Sequence, residues 1–204
     1  MAMTTRRTPP TQDNLLAESA ALHDHLCPRQ VLGVRMGMEA TRILDLDLPQ
    51  GRHDKRLLTI VETDGCFADG ISVATGCWLG HRTLRCNDLG KVAATFVDTE
   101  TAEAIRIRPA LAARTAAAAY APDATGRWQE YLLGYQRMPA SELLEVQRVL
   151  LIEPVAALVS SPDRRATCTS CGEEVFNGRE VIIEGSVCCP ACAGRPYLLA
   201  RDNS

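Results

Sequence analysis

The sequence predicts an α+β protein, with a core domain of mixed helices and strands followed by a small four-cysteine ribbon. Three observations lead there. Helical apolar spacing and helix-start signals recur at 13–22, 28–45, 109–120 and 125–137. Apolar, β-branched or alternating runs at 57–61, 91–98, 104–108 and 146–152 read as strands interspersed with those helices. Two Cys-x-x-Cys pairs then follow a change of composition at Ser160-Ser161-Pro162-Asp163-Arg164-Arg165. The expected organisation is a disordered N-terminus over 1–12, a core domain over 13–160, a linker over 161–165 and a ribbon over 166–204.

With 204 residues the chain is long enough for one sizeable core and a small appendage. A net charge of −3 supplies no polybasic signature, so nucleic acid is not favoured as a partner. The opening decapeptide has no apolar h-region and no apolar run approaches the length of a bilayer span, so neither a secretory leader nor a membrane segment is expected. Nine cysteines cannot all pair within one molecule. A reducing cytoplasm fits best, with metal ligands or reactive thiols in place of disulfides.

Taken in order, Asp13 to Leu22 is a short helix, and a second helix runs from Pro28 to Asp45, closed by the turn Pro49-Gln50-Gly51. Leu57-Leu58-Thr59-Ile60-Val61 is a buried strand that delivers Glu62, Asp64 and Cys66 at its C-terminal end. Asp69 to Ala74 is a short helix stopped at Gly76, with Cys77 just beyond. An irregular segment through Trp78, His81 and Cys86 leads to the turn Asn87-Asp88-Leu89-Gly90 and two alternating strands. In the second of these, Ile105 and Ile107 face inward and Arg106 and Arg108 outward. Pro109 to Tyr120 is an alanine-rich helix, and Thr125 to Arg137 carries Trp128, Tyr131, Leu132 and Tyr135 as a packing stripe. A turn of helix at Ser141–Leu144 precedes the last core strand.

The chemistry concentrates in His23-Asp24-His25-Leu26-Cys27-Pro28. Pro28 suits the first turn of a helix, which makes Cys27 its N-cap. A thiol there meets unpaired N–H groups and the positive end of the helix dipole, both of which favour thiolate. If the backbone before Cys27 is extended, His23 and His25 point to the same side. Gly33 and Gly37, four apart, leave a groove where another backbone can approach. Glu62, Asp64 and Asp69 are the carboxylates nearest Cys66 in sequence, able to orient a histidine or to serve as turn and cap residues. His53 receives no role, and His81 is either an outer ligand or a surface residue.

The ribbon carries the most specific motif. Cys168-Thr169-Ser170-Cys171 and Cys189-Pro190-Ala191-Cys192 are separated by 17 residues, a spacing that fits a Cys₄ zinc site. The segment Glu180–Glu184, Gly185 and Ser186-Val187 reads as the hairpin joining the two pairs. Cys188 offers an alternative register, and Cys189 is preferred because it keeps the two-residue gap. Four thiolates close the coordination sphere, so this zinc, one per chain, is structural. Between residues 166 and 204 three arginines face five carboxylates, which points away from nucleic acid and toward a protein partner or a second subunit.

The residues His23-Asp24-His25-Leu26-Cys27-Pro28, then Cys66, then Thr75-Gly76-Cys77-Trp78-Leu79-Gly80, the strand opening at Gly90-Lys91 and the C-terminal Cys₄ ribbon together resemble the FmdE-like family, named for a component of formylmethanofuran dehydrogenase. The resemblance covers roughly residues 13 to 195. It implies an α+β core, a zinc-finger domain, a tightly intertwined homodimer and a core site of His23, His25, Cys27, Cys66 and Cys77. It also implies a link to molybdenum or tungsten enzymes. Asp24 and Arg29 stand where smaller residues are usual in that family, and Trp78 where threonine is.

Two functions follow as expectations. One is a metal-binding accessory, sensor or metal-handling protein, whose core imidazoles and thiolates take a second transition metal, with zinc, nickel, copper and iron all suited. The other is a metal- or thiol-dependent enzyme acting on a small molecule, with Cys27 as nucleophile or ligand and His23 or His25 as base. A third arrangement, an iron–sulfur cluster on Cys27, Cys66, Cys77 and Cys86, matches none of the usual spacings.

Overall fold

A computed structural model describes residues 8–159 and 163–199. The chain forms two compact units, 1–156 and 157–204. Of the expected N-terminal tail, residues 1–7 lie outside the described residues, as do 160–162 around the start of the expected linker. Thr11 and Gln12 already belong to structure. The Thr11 hydroxyl accepts from the Asn14 N–H while the Asn14 side chain accepts from the Thr11 N–H, a reciprocal cap that starts helix α1 (Gln12–Ala21).

Helix α2 (Pro28–Leu44) begins at Cys27 as N-cap, with Pro28 in the first turn. Strand β1 (Leu57–Val61) leads through a short loop into α3 (Cys66–Thr75). The helix opens three residues before the expected start at Asp69. Gly65 supplies the reason: its backbone, at φ +74° and ψ −158°, turns the chain from strand into helix through a region that only glycine enters easily.

Strands β2 (Leu84–Cys86), β3 (Ala94–Asp98) and β4 (Ala104–Pro109) follow. Helix α4 (Ala113–Ala116) continues into a 3₁₀ turn at Ala117–Tyr120, and α5 (Arg127–Arg137), α6 (Ala140–Leu143) and β5 (Leu144–Val149) complete the core. The five strands form one sheet in the order β2-β1-β3-β4-β5, in which β1 and β2 are parallel and the other pairs antiparallel. The parallel strand β2 replaces part of the segment expected to be irregular; three residues carry too little periodicity to announce a strand. Ile105 and Ile107 are wholly buried in the same apolar cluster as Leu57, Val61 and Phe96 from the sheet and Val31, Met36, Phe67 and Ile71 from the helices. The cluster is one continuous core between helices and sheet.

Two contacts position the functional face. The first is the α2–α3 packing. A Cβ on Gly33 would lie 2.4 Å from the Phe67 carbonyl oxygen, and one on Gly70 would lie 2.4 Å from that of Gln30. The two backbones touch, in parallel, so both helix N-termini end at the same level. The second is Arg35, buried on α2, whose guanidinium donates to the carbonyls of Tyr135, Gln136 and Met138 at the end of α5. That cation caps the carbonyl end of a helix dipole and fixes α5 against α2.

Beyond α7 (Val155–Val159), the second unit consists of two hairpins, β6 (Arg165–Thr167) with β7 (Glu174–Phe176) and β8 (Val181–Ile183) with β9 (Ser186–Cys188). Among the described residues, Cys168, Val175 and Cys188 form its buried apolar cluster. Three side chains are too few to hold a fold without a crosslink or a metal.

Candidate functional site

In the second unit the Sγ atoms of Cys168, Cys171, Cys189 and Cys192 all lie within 4.8 Å of one another. The Cys171 and Cys189 sulfurs are 4.0 Å apart, near the ~3.8 Å edge of a tetrahedron built on zinc–thiolate bonds of about 2.3 Å. Backbone N–H groups of Cys171 and Cys189 pull the Cys168 thiol down to about 6, while the neighbouring sulfurs push Cys192 up to about 12. Four thiols this close ionise together only with a cation among them. The donor set therefore fits a metal, and its all-sulfur tetrahedral spacing fits zinc. Cys188, the alternative in the motif, turns inward and lies 3.8 Å from the Ser170 hydroxyl, away from the cluster.

In the core, α2 and α3 bring Cys27 and Cys66 together. Burial, then the adjacent Cys27 side chain, raises the Cys66 thiol above its ordinary value. The Cys27 N–H donates to the Gln30 side chain at 2.7 Å, and Gln30 donates in turn to the Ser19 carbonyl. The N-cap is thereby anchored to α1.

His23 precedes this pair in the chain and reaches α3 directly, its Nε2 2.7 Å from a carboxylate oxygen of Asp69. Of the three carboxylates near Cys66 in sequence, Asp69 is the one that orients a histidine. Glu62 is taken by Arg106, which holds its carboxyl below the usual range. The backbone at 23–25 is a turn with Asp24 at φ +59°, not the extended segment expected. The histidine rings are nevertheless 6.1 Å apart, with the exposed His25 tied by Nδ1 to the His23 carbonyl.

Cys77 does not join this group. It follows the far end of α3, about 15 Å along the helix axis from Cys66 at 1.5 Å per residue. Its wholly buried sulfur lies 3.3 Å from the Gln50 amide and 3.4 Å from the Thr59 hydroxyl, and 3.5 Å from the Leu57 carbonyl. Burial pushes that thiol up. The same separation divides Cys27 and Cys66 from Cys77 in the iron–sulfur arrangement. Among the described residues, the ribbon cysteines are the group that gathers three or more ligand atoms closely enough for a metal.

Cys27 also borders a cavity of about 430 Å³ lined by Arg29, Arg114, Trp128, Tyr131 and Tyr135. The stripe on α5 thus lines a cavity in addition to packing: Leu132 meets the core, whereas Trp128 is 55% exposed. The Tyr131 and Tyr135 rings stack at 5.8 Å, and Arg114 reaches the Tyr131 hydroxyl at 3.2 Å. Sequence alone misses Arg114, because an alanine-rich run shows no face. The i, i+4 tyrosine pair is the visible signal.

An α+β core with a thiol pair at two helix N-termini, joined to a four-cysteine ribbon, defines the class. A family model described as "FmdE, Molybdenum formylmethanofuran dehydrogenase operon" matches residues 22–145, and the chain belongs to that family. The crystal structure of an FmdE-like protein of tungsten formylmethanofuran dehydrogenase, from Syntrophus aciditrophicus, has the same fold. It superposes with a TM-score of 0.61 at 21% identity, over 96% of this chain and 100% of that one. A "Probable S-adenosyl-L-methionine-binding protein" of Archaeoglobus fulgidus is 38% identical over 94 residues, 46% of this chain and 26% of that protein. The match thus spans about a quarter of that relative's length. No helix among the described residues is long and apolar enough to cross a membrane.

Proposed function

We propose that this protein handles metal at two places: a structural zinc on Cys168, Cys171, Cys189 and Cys192, and a second transition metal in the core on Cys27, Cys66 and His23, with His25 at hand. It acts as an accessory, sensor or metal-handling protein for a partner enzyme, the molybdenum or tungsten enzymes of the family name among the candidates, and it works as a cytoplasmic homodimer. The observation that carries the core site is the Asp69–His23 pair on the helix that Cys66 opens, with Cys27 against Cys66. A carboxylate on one ring nitrogen of a histidine fixes the ring and leaves the other nitrogen for a ligand, the usual support of a metal-bound imidazole. Bound there, a soft metal would supply a Lewis-acidic or exchangeable centre.

The test is elemental analysis of protein purified without air or added metal. Two metal equivalents per chain should fall to one in Cys27→Ala and in Cys66→Ala. A single equivalent, unchanged in both variants, would remove the core site from this reading. The aromatic cavity favours a second reading, in which Cys27 acts as a nucleophile toward a small molecule with His23 or His25 as base. The Archaeoglobus relative makes S-adenosyl-L-methionine a ligand to try. Turnover by metal-free protein with an intact Cys27 would support that reading over the first.

A further inference from the structure

We infer that the cavity beside Cys27 binds a small aromatic carboxylate, its anionic end held by Arg114 and Tyr135 and its ring against Tyr131 and Trp128. The inference stands apart from the metal reading, since none of these four residues is a metal ligand in it.

The sign of the ligand follows from the lining. Two guanidiniums, Arg29 and Arg114, border the cavity and no carboxylate is among its described lining residues. A cationic ligand would meet uncompensated like charge there, and a neutral one would leave both arginines without a counter-ion. Arg114 donates through Nε to the Tyr131 hydroxyl, and its terminal nitrogens have no acceptor among the described residues. A guanidinium edge of this kind matches a carboxylate by paired hydrogen bonds.

Tyr135 supplies a second donor. The residue is 7% exposed, yet its hydroxyl has no hydrogen-bond partner among the described residues and is not sealed from solvent. The parallel stacking of Tyr131 and Tyr135, with Arg114 at the Tyr131 hydroxyl, sets two phenols and one guanidinium side by side. Arg114 also lies 5.2 Å from the centre of the Tyr131 ring, which holds the cation over the aromatic wall.

The body of the ligand follows from the walls. Trp128, more than half exposed, presents an aromatic side chain at the mouth without the burial that would explain it as core. A volume of about 430 Å³ lies within the ordinary range for small-molecule sites and leaves room for one or two fused rings. With the carboxylate on Arg114, the far end of such a molecule faces the Cys27 side of the cavity.

Calorimetric titration of the full chain with 2-naphthoate, its neutral amide 2-naphthamide, and S-adenosyl-L-methionine tests this. Naphthoate should bind at least tenfold more tightly than naphthamide. Arg114→Gln should weaken naphthoate about tenfold and leave naphthamide unchanged, and Tyr135→Phe should weaken naphthoate severalfold. Arg114 is exposed, so its replacement leaves the fold intact. Cys27→Ala should retain naphthoate binding, which separates the cavity from any metal on the thiols. Equal affinity for acid and amide, or indifference to Arg114→Gln, would overturn the inference. So would the absence of heat from naphthoate at about 1 mM, or tighter binding of S-adenosyl-L-methionine than of naphthoate.

Discussion

The molecule assembles thiols in two ways. In the ribbon, short-range geometry does it: each Cys-x-x-Cys turn pairs two sulfurs, and the β8–β9 hairpin returns the second turn to the first. In the core, Cys27 and Cys66 are 39 positions apart (66 minus 27) and meet because α2 and α3 touch at Gly33 and Gly70. The ribbon site is closed, and its fold depends on what fills it. The core pair is open on one side to an aromatic cavity, and its scaffold stands on an apolar core that needs no metal. Closed and structural against open and adjustable is the division expected between holding a fold and doing chemistry.

The largest effect that would break this contrast is loss of the ribbon metal. A strong chelator, or Cys189→Ala, should unfold residues 163–199 while the core keeps its structure, because three buried side chains do not hold two hairpins. Limited proteolysis with mass spectrometry reads this directly. Cleavage confined to the ribbon is the expected pattern, and simultaneous loss of both units would show that the core also depends on metal.

Next in size is Gly33→Val. With a Cβ placed 2.4 Å from the Phe67 carbonyl oxygen, the two helices must separate. The cost should be roughly 2–3 kcal/mol, seen as a lower midpoint in urea, and the thiols should part with the helices. A bifunctional reagent that bridges Cys27 and Cys66 in the wild type should then fail. Bridging at the wild-type rate would mean that the glycine contact does not position the pair.

These two regions also differ in how much of each the sequence displays. The ribbon is legible to the residue, including the preference for Cys189 over Cys188, because its geometry is written in spacing. The core elements are legible where periodicity is long, as at α2, β1 and the inward Ile105 and Ile107. Short elements are not: β2 has three residues, and β6 and β7 have three each. Length also bears on Cys77. Thr75-Gly76-Cys77 reads as a motif in one dimension, but α3 carries it to the opposite end from Cys66 and buries it. Arg114 and Asp69 take their places only through tertiary packing, which no local pattern announces.

Asp69→Asn sharpens the comparison at the core site. The amide keeps the size of the side chain but removes the charge that supports the His23 imidazole. If His23 is a ligand, core metal affinity should fall ten- to a hundredfold, while the ribbon metal stays. Competition with a chromophoric chelator gives both affinities in one titration. An unchanged core affinity would assign the Asp69–His23 pair to the fold alone.

The smallest effect concerns Cys77, the thiol that the fold uses as core. Burial raises its folded value above that of the unfolded chain. Above the unfolded value the unfolded state loses a proton that the native state keeps. Stability from this group is therefore complete below the ordinary thiol range and declines as pH rises toward the folded value. The slope is at most about 1.4 kcal/mol per pH unit. Cys77→Ser offers a hydroxyl to Thr59, Gln50 and the Leu57 carbonyl without that titration, so its urea midpoint should fall less steeply than the wild type's between about pH 9 and 10. Equal slopes would mean that Cys77 ionises as readily in the native chain as in the unfolded one. That result would return it to the set of accessible thiols with Cys27 and Cys66, and the division between core sulfur and site sulfur along α3 would no longer hold.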